Sequence, residues 1–338
     1  MIDWKNSTIL VTGGTGSFGR KFTEIIFDRF QPKKLIIFSR DEFKQYEMAK
    51  VFPESRYPIR YFLGDIRDAR RLNRAFEGVD YVVHVAALKQ VPALEYNPTE
   101  AVKTNVEGAE NIVDVAIDRG VKKVIALSTD KAVNPINLYG ASKLVAEKIF
   151  IAANQYGGRK VKFAAVRYGN VVGSRGSVIP LFLRFKREGI KEFPITDERM
   201  SRFWITLDQA VDLVIRALDH ALGGETFIPI IPSMKVTDLA RAIDPDCRFK
   251  FIGIRPGEKI YETLISEDEA RNTKMVDGAY IILPQFSQEI SADYTNYPSV
   301  AENFAYRSDT NDSWLSVDDL RQITGERRED NPVWSSVG

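Results

Sequence analysis

Val11-Thr12-Gly13-Gly14-Thr15-Gly16-Ser17-Phe18-Gly19 closes the β-branched run Thr8-Ile9-Leu10-Val11, and the reading of that stretch decides the fold. It satisfies G-x-x-G-x-x-G through Gly13, Gly16 and Gly19, and G-x-G-x-x-G through Gly14, Gly16 and Gly19. Glycines at this spacing let the chain turn sharply out of a strand and bring its backbone close to a pyrophosphate. The phosphate then rests on the amides that open the next helix. A glycine turn alone is common. Between a first strand and a helix, it marks Gly13, Thr15, Gly16, Ser17, Phe18 and Gly19 as the cradle of a dinucleotide.

The flanking sequence supplies that context. Apolar runs of buried-strand length recur at Lys34-Leu35-Ile36-Ile37-Phe38, Ile59-Arg60-Tyr61-Phe62-Leu63, Tyr81-Val82-Val83, Val124-Ile125-Ala126-Leu127 and Phe163-Ala164-Ala165-Val166. Between them, residues 100–119 place Val102, Val106, Ala109, Ile112, Val113 and Ala116 near a 3.6 period, with Gly120 as the stop. A second helix is expected over residues 138–156. The alternation predicts an α/β protein with a Rossmann-type, doubly wound parallel sheet and helices on both faces. After Arg167 the rhythm breaks at Tyr168-Gly169-Asn170-Val171-Val172-Gly173-Ser174. Helices over 207–222, 236–243 and 317–323 and strands over 226–228 and 248–252 follow. The expected division is a dinucleotide-binding domain over 1–168, a smaller substrate-binding lobe over 169–290 interleaved with the end of the sheet, and a C-terminal extension over 291–338.

The composition of the 338 residues, 44% hydrophobic and 28% charged, excludes a disordered or fibrous chain. Lys and Arg number 47 against 46 Asp and Glu, so a net charge of +1 offers no global field to nucleic acid or an anionic membrane. Cys247 is the one cysteine, and His84 and His220 are the two histidines. A disulfide, a zinc site and a Ser-His-Asp triad are all poorly supplied. No apolar run approaches the ~20 residues that span a bilayer, and no secretory apolar region follows Met1-Ile2-Asp3-Trp4-Lys5. The expectation is a cytoplasmic, metal-free protein that binds neither nucleic acid nor membrane.

The end of the second strand addresses which dinucleotide is bound. Ser39-Arg40, with Lys44 one helical turn on, places a hydroxyl and two cations where a ribose-binding acid usually stands. That set suits the 2′-phosphate of NADP. A solvated helix start is the other reading, since Asp41 and Glu42 lie alongside. Asp65-Ile66, after the third strand, would lie beside the adenine. The chemistry is expected at Tyr139-Gly140-Ala141-Ser142-Lys143, a Y-x-x-x-K on a helix that puts phenol and ammonium on one face. An ammonium favours phenolate and draws the tyrosine pKa down, so Tyr139 can take a proton from an alcohol while hydride leaves the same carbon. Ser128-Thr129 ends the fifth strand, where ligand crevices open.

Together these features resemble the extended short-chain dehydrogenase/reductase superfamily, whose members bind nucleotide sugars in the C-terminal lobe. Five strings are similar to the inverting UDP-N-acetylglucosamine 4,6-dehydratases of the pseudaminic acid type: Ala86-Ala87-Leu88-Lys89-Gln90-Val91-Pro92, Leu127-Ser128-Thr129-Asp130-Lys131-Ala132, Asn134-Pro135-Ile136-Asn137, Arg167 to Ser177, and Arg255-Pro256-Gly257-Glu258-Lys259. The resemblance runs from Asn6 to Pro284. Dehydratases of the dTDP-glucose type carry Asp-Glu where this chain has Asp130-Lys131, and the membrane-bound and C5-epimerising relatives resemble one another in carrying methionine at Tyr139.

The resemblance implies a lyase that oxidises C4 of UDP-N-acetylglucosamine with NADP, loses water across C5 and C6 and returns hydride to C6. The implied product is UDP-2-acetamido-2,6-dideoxy-β-L-arabino-hex-4-ulose. Thr129, Asp130, Lys131, Tyr139 and Lys143 are then the catalytic set, Lys131 as the C5 base and Asp130 as the acid at C6. Ala86, Lys89 and Asn105 join the cofactor residues, Asn105 holding the region after the fourth strand. Lys89, Thr129, Tyr139, Asn170, Val178, Arg199, Arg255 and Glu258 join the UDP-sugar residues, with Arg202 a further anion candidate and Phe203 and Trp204 read as core. A homo-oligomer, dimer or hexamer, is implied too. The open alternatives are a 4,6-dehydratase/5-epimerase of capsule or O-antigen synthesis and a non-enzymatic NADP-sensing protein.

Overall fold

In the computed structural model, β1 (Thr8–Thr12) is buried along its whole length, the pattern of a strand covered on both faces. The chain then alternates through α1 (Ser17–Arg29), β2 (Lys34–Ser39), α2 (Glu42–Val51), β3 (Ile59–Leu63), α3 (Ala69–Ala75) and β4 (Tyr81–His84). It continues with α4 (Val91–Tyr96), α5 (Pro98–Ala101), α6 (Gly108–Asp118), β5 (Lys123–Leu127), α7 (Leu138–Tyr156) and β6 (Lys162–Val166). The structure describes residues 1–157, 160–173, 178–285 and 288–325.

Contacts divide the chain into two units, Met1–Tyr168 with Thr206–Ile230 and Thr263–Ala305, and Gly169–Ile205 with Ile231–Glu262 and Tyr306–Gly338. The strand Thr226–Pro229 pairs parallel with β6, and Ala279–Ile282 and Thr273–Val276 add antiparallel outside it. The extended sheet edge of the first unit therefore reclaims segments from beyond residue 169. Residues 263–305 cluster with the first unit, and the described residues from 306 onward cluster with the second. Composition shifts mark where the chain leaves a layer, and hydrogen-bonding partners decide where it comes back.

The first unit holds a nine-stranded sheet in the order Thr273–Val276, Ala279–Ile282, Thr226–Pro229, β6, β5, β4, β1, β2, β3. The strands from Thr226–Pro229 through β3 are all parallel. Strand order reverses at β1, between β2 and β4, and a crevice at the carboxyl ends follows at that switch point. The register aligns those ends, Thr12 opposite Phe38 and His84, His84 opposite Ala126, and Leu127 opposite Val166. One buried cluster, including Leu10, Phe38, Phe76, Ile112, Val124, Phe150 and Phe163, joins sheet and helices.

The helix expected over 100–119 is three pieces in the structure: α5, a widened π turn over Val102–Glu107, and α6. A 3.6 period does not register one added residue in a turn. Gly120 stops α6 at φ +66°, in the left-handed region glycine favours.

The second unit has its own core, with Phe182, Phe193, Trp204, Leu239 and Leu320 among its buried residues. Ser201–Ile205 is its central strand, antiparallel to Ser233–Lys235 and parallel to Asn170–Val171. Phe203 and Trp204 are buried, as core residues should be. No helix among the described residues is long and apolar enough to cross a membrane.

The turn between β1 and α1 has no spare volume at Gly19, where an added Cβ would lie 2.3 Å from the Gly14 carbonyl oxygen and 2.4 Å from its Cα. Gly19→Ala should therefore destabilise the protein by about 1–3 kcal/mol, the usual effect of overpacking. Urea unfolding should show a lower midpoint with the slope retained, and an unchanged midpoint would mean the turn yields without strain.

Candidate active site

The glycine loop is built by close backbone approach. Gly13 sits at φ +64°, and a Cβ there would lie 2.9 Å from the Ala86 backbone. Thr12 locks the two loops together. Its hydroxyl oxygen accepts from the Val85 and Ala86 amides at 3.1 and 3.3 Å, which leaves its proton for His84 Nδ1 at 2.9 Å. Burial, with Lys143 second, pushes His84 down to about 3, so the imidazole accepts as a neutral group. The Gly16 amide donates to the Gly13 carbonyl at 3.0 Å, and Phe18 is buried 6.0 Å from Phe22. The loop thus presents backbone ahead of the first turn of α1, whose amides lack helical partners. This cradle, which side chains at Gly13 or Gly19 would fill, fits a dinucleotide phosphate.

At the end of β2, Ser39 is buried and its hydroxyl lies 2.9 Å from Thr15 Oγ1, while the Asp41 amide donates to it at 3.3 Å. Both expected cations stand beside carboxylates. Lys44 pairs with Asp41, and Arg40 Nη1 is 3.5 Å from Asp65 Oδ2, which also receives Arg67 Nη2 at 2.8 Å. Burial pushes Asp65 up, but the bonds and charge of Arg67, with Arg40, hold it below the ordinary range. Ile66 is buried in the core, its side chain filling the space over Gly108. Asn105 is also buried. Its Oδ1 accepts from the Leu88 amide at 2.8 Å, and its Nδ2 donates to the Leu88 carbonyl at 2.9 Å and to Ser142 Oγ at 3.0 Å. The widened turn thereby clamps the segment after β4 to α7, beside Lys89. Burial first and the Lys131 charge second lower the Lys89 pKa.

Thr129 caps the short turn Asp130–Ala132 at the carboxyl end of β5. Its hydroxyl donates to Asp130 Oδ1 at 2.9 Å, and Lys131 Nζ donates to the same oxygen at 3.1 Å. Asp130 is fully buried, and its Oδ2 has no hydrogen-bond partner among the described residues. A buried carboxylate oxygen that the protein's own donors do not reach is a natural place to hold a proton. α7 reaches this turn because residue 140 is glycine: a Cβ there would lie 2.1 Å from the Lys131 carbonyl oxygen. Asn137 accepts the Gly140 amide at 2.8 Å and sets where α7 begins. Tyr139 and Lys143 follow one turn apart, and burial lowers Lys143 to about 8 against the raising effect of Glu147. Tyr168, buried and near Tyr139, is pushed above the ordinary phenol range by burial and by that neighbour. The first unit therefore brings Thr129, Asp130, Lys131, Tyr139 and Lys143 together at the ends of adjacent elements.

Sequence reasoning missed the ionic layer beside them. Ser128 Oγ donates to Glu147 Oε2 at 2.5 Å, and Arg167 Nη2 donates to Glu147 Oε1 at 2.6 Å. Arg167 also donates to both Glu269 carboxylate oxygens, at 2.9 and 3.0 Å, and to the Leu264 carbonyl at 2.8 Å. The sequence held one signal of it. Glu147 stands four residues after Lys143, on the helix face that also buries Ala146, Phe150 and Ala153. A carboxylate on a buried face demands a cation.

The remaining candidates lie in the second unit. Asn170 pairs with Trp204 in its small sheet, and Val178 opens the helix Val178–Arg187. Arg255 Nη1 is 3.9 Å from Glu258 Oε1, and Thr196 Oγ1 donates to Glu258 Oε2 at 3.3 Å. Arg199 is exposed and doubly bonded to Asp197 at 2.8 and 2.9 Å. Arg202 is buried and directs its donors to the Ser201, Lys259 and Ile260 carbonyls, which corrects its reading as an anion site. Residues 174–177 of the Arg167–Ser177 string lie outside the described residues.

Comparison with known proteins places this geometry in company. Residues 9–284 match the family model described as polysaccharide biosynthesis protein. The chain is 50% identical over 331 residues, 96% of its length and 98% of the relative's, to the UDP-N-acetylglucosamine 4,6-dehydratase (inverting) of Campylobacter jejuni. It is 43% identical over 288 residues, 82% of this chain and 83% of the relative, to the UDP-glucose 4-epimerase of Rickettsia akari. Among solved structures, Pen from Bacillus thuringiensis superposes with a TM-score of 0.88 at 38% identity, covering 96% of this chain and 99% of that one. DesIV from Streptomyces venezuelae, a dTDP-glucose 4,6-dehydratase solved with NAD, shares the fold at a TM-score of 0.71 and 20% identity, over 97% and 99% of the two chains.

Proposed function

This chain belongs to the polysaccharide biosynthesis protein family, and on that premise we propose that it is an inverting UDP-N-acetylglucosamine 4,6-dehydratase. The observation that carries the reading is the buried Asp130 carboxylate, open at Oδ2 and bonded at Oδ1 to Lys131, at the strand end that precedes the Tyr139-Lys143 helix. A 4-epimerase needs a tyrosine and lysine to oxidise and reduce C4 but has no work for a second acid–base pair. Elimination across C5 and C6 has work for both members.

NADP(H), when bound, supplies the hydride acceptor at C4 and the donor at C6. Gly13, Thr15, Gly16, Ser17, Phe18 and Gly19 would hold its pyrophosphate, with Ser39, Arg40 and Lys44 at the 2′-phosphate, Asp65 and Ile66 at the adenine, and Ala86, Lys89 and Asn105 along the rest. Tyr139 removes the C4 hydroxyl proton, and Lys143, charged beside it, favours the phenolate. Thr129 hydrogen-bonds the sugar at C4. The ketone at C4 acidifies the C5 proton. Asp130 and Lys131 together carry one transferable proton, so moving it from ammonium to carboxylate arms both groups at once. Neutral Lys131 then takes the C5 proton, and protonated Asp130 gives its own to the departing C6 hydroxyl. The pair ends as it began, and water leaves without a net change in protons. A proton drawn from solvent then adds to C5 on the opposite face and inverts it, and Tyr139 returns to solvent the proton it took from the C4 hydroxyl, so the count closes.

Asn170, Val178, Arg199, Arg255 and Glu258, with Lys89, are the side chains proposed for the UDP-sugar, cations for the pyrophosphate and Glu258 for ribose hydroxyls. Because Arg199 and Arg255 already stand beside carboxylates, the substrate phosphates would displace or share those partners. The same reading assigns the product to pseudaminic acid synthesis in the cytoplasm and the enzyme to a homo-oligomer.

Cofactor choice follows from Arg40 and Lys44. The protein should carry NADP(H) in preference to NAD(H), and Arg40→Asp should weaken NADP by roughly 1.5–3 kcal/mol for each charge-assisted hydrogen bond removed. Calorimetric titration with both dinucleotides measures this, and equal affinity in the wild type would remove the assignment.

Tyr139→Phe keeps the ring and loses the ionisable hydroxyl, so C4 oxidation should fall by about 10²–10⁴-fold in single-turnover assays. Near-wild-type turnover would return the epimerising relatives to contention.

Lys131→Ala should still oxidise C4 but release no 6-deoxy sugar, and Asp130→Asn should stall at the same point. Wild-type turnover of UDP-N-acetylglucosamine in D₂O, followed by NMR, should place deuterium at C5 of an inverted product and carry the C4 hydrogen to C6 unexchanged. Retained C5 configuration would refute the inverting reaction, and normal dehydration by Lys131→Ala would take that residue out of its role.

A further inference from the structure

Tyr139, Lys143 and Glu147 follow one another along α7 in four-residue steps, so they form one stripe. Glu147, 2% exposed, is held by three hydrogen bonds from two residues. Ser128 of the β5 end donates to Oε2 at 2.5 Å, and Arg167 of the β6 end donates to Oε1 at 2.6 Å and to Oε2 at 3.3 Å. The same guanidinium is shared with Glu269 at 2.9 Å, so two carboxylates surround one cation and a single negative charge is left over. Lys143, itself 6% exposed, is the next side chain along the stripe. The titratable groups around it are Glu147 and Tyr139 from its own helix, His84 from β4, and, on the turn packed against α7, Lys131 with Asp130, whose Oδ1 is already bonded by Lys131 and Thr129. His84 is neutral and offers the ammonium no support, which makes Glu147 the carboxylate whose charge bears on Lys143.

We propose that Glu147 is a positioning residue that keeps Lys143 an ammonium in a site that otherwise expels charge, with Ser128 and Arg167 fixing where its carboxylate stands. Both carboxylate oxygens of Glu147 are already committed to Ser128 and Arg167. It acts through Lys143, and Arg167 limits how much of its charge the lysine feels. The inference rests on the reading that Tyr139 and Lys143 carry the C4 oxidation, but it is tested without turnover.

The test is the titration of the Lys143 side chain in full-length protein labelled with ¹³C-lysine, its signal identified by its loss in Lys143→Arg. Glu147→Gln keeps the shape and removes the charge, so the ammonium should deprotonate at lower pH by about one unit or more. Glu147→Asp keeps the charge at a shorter reach and should shift Lys143 less. Glu269→Gln leaves Arg167 to Glu147 alone, so it should shift Lys143 in the same direction but by less than Glu147→Gln. In C4 oxidation assays the high-pH limb of Glu147→Gln should move down with the lysine. A wild-type titration of Lys143 in Glu147→Gln would overturn the proposal, as would a shift in Glu269→Gln as large as that in Glu147→Gln. Should Glu147→Gln fail to fold, a Lys143 titration wholly unmoved in Glu147→Asp would overturn it too, because the shorter side chain draws the carboxylate back. If Tyr139→Phe oxidises C4 normally, the catalytic reading fails while this titration still decides the role of Glu147.

Discussion

A guanidinium cannot be taken out of water alone, and Arg167 at the end of β6 is 1% exposed. Everything near it answers that constraint. α7 contributes Glu147, the segment after Thr263 returns with Glu269 and the Leu264 carbonyl, and Ser128 completes the Glu147 carboxylate from β5. Such a cluster adds little net stability over a well-packed apolar core, but losing one member leaves a buried charge unpaired and costs several kcal/mol. Its contribution is therefore positional. It fixes α7 at the carboxyl ends of β5 and β6, where the candidate chemistry stands.

Around that fixed point, glycines let backbones approach more closely than any side chain allows. Gly13 meets the Ala86 backbone and Gly140 meets the Lys131 carbonyl. The first approach joins the loops of β1 and β4 across the switch point, and the second seats α7 on the turn that carries Asp130 and Lys131. Thr12, Asn105 and Ser142 then satisfy the polar groups that such approach exposes. The site is thus held by backbone geometry and short hydrogen bonds, which leaves proton work to the ionisable groups.

Those groups share a low-dielectric edge with an excess of cations. Burial lowers both Lys143 and Lys89, and the Lys131 charge adds to the effect on Lys89. Cations held this way gain when an anion enters, which suits a substrate carrying a pyrophosphate. Asp130, with one oxygen between Thr129 and Lys131 and the other open, is the complementary acid.

By itself the sequence determined the sheet, the glycine turn and the Tyr139-Lys143 helix, because each is a local pattern: short apolar runs, glycines at set spacing and a four-residue step. The six strands read from apolar runs all lie within one or two residues of where they form, and α7 spans the expected residues. The close family resemblance rested on strings of the same kind. Tertiary structure alone decided three matters. The return of Thr226–Pro229 and residues 263–305 to the first unit depends on strand pairing across large separations, which no window sees. The pairing of Arg40 with Asp65, and the commitment of Arg202 to backbone carbonyls, depend on which groups meet after folding. The role of Glu147 depends on a cation twenty residues away and a carboxylate more than a hundred away. Local order follows from neighbours in the chain, but the partner of a buried charge is chosen only when the chain closes on itself.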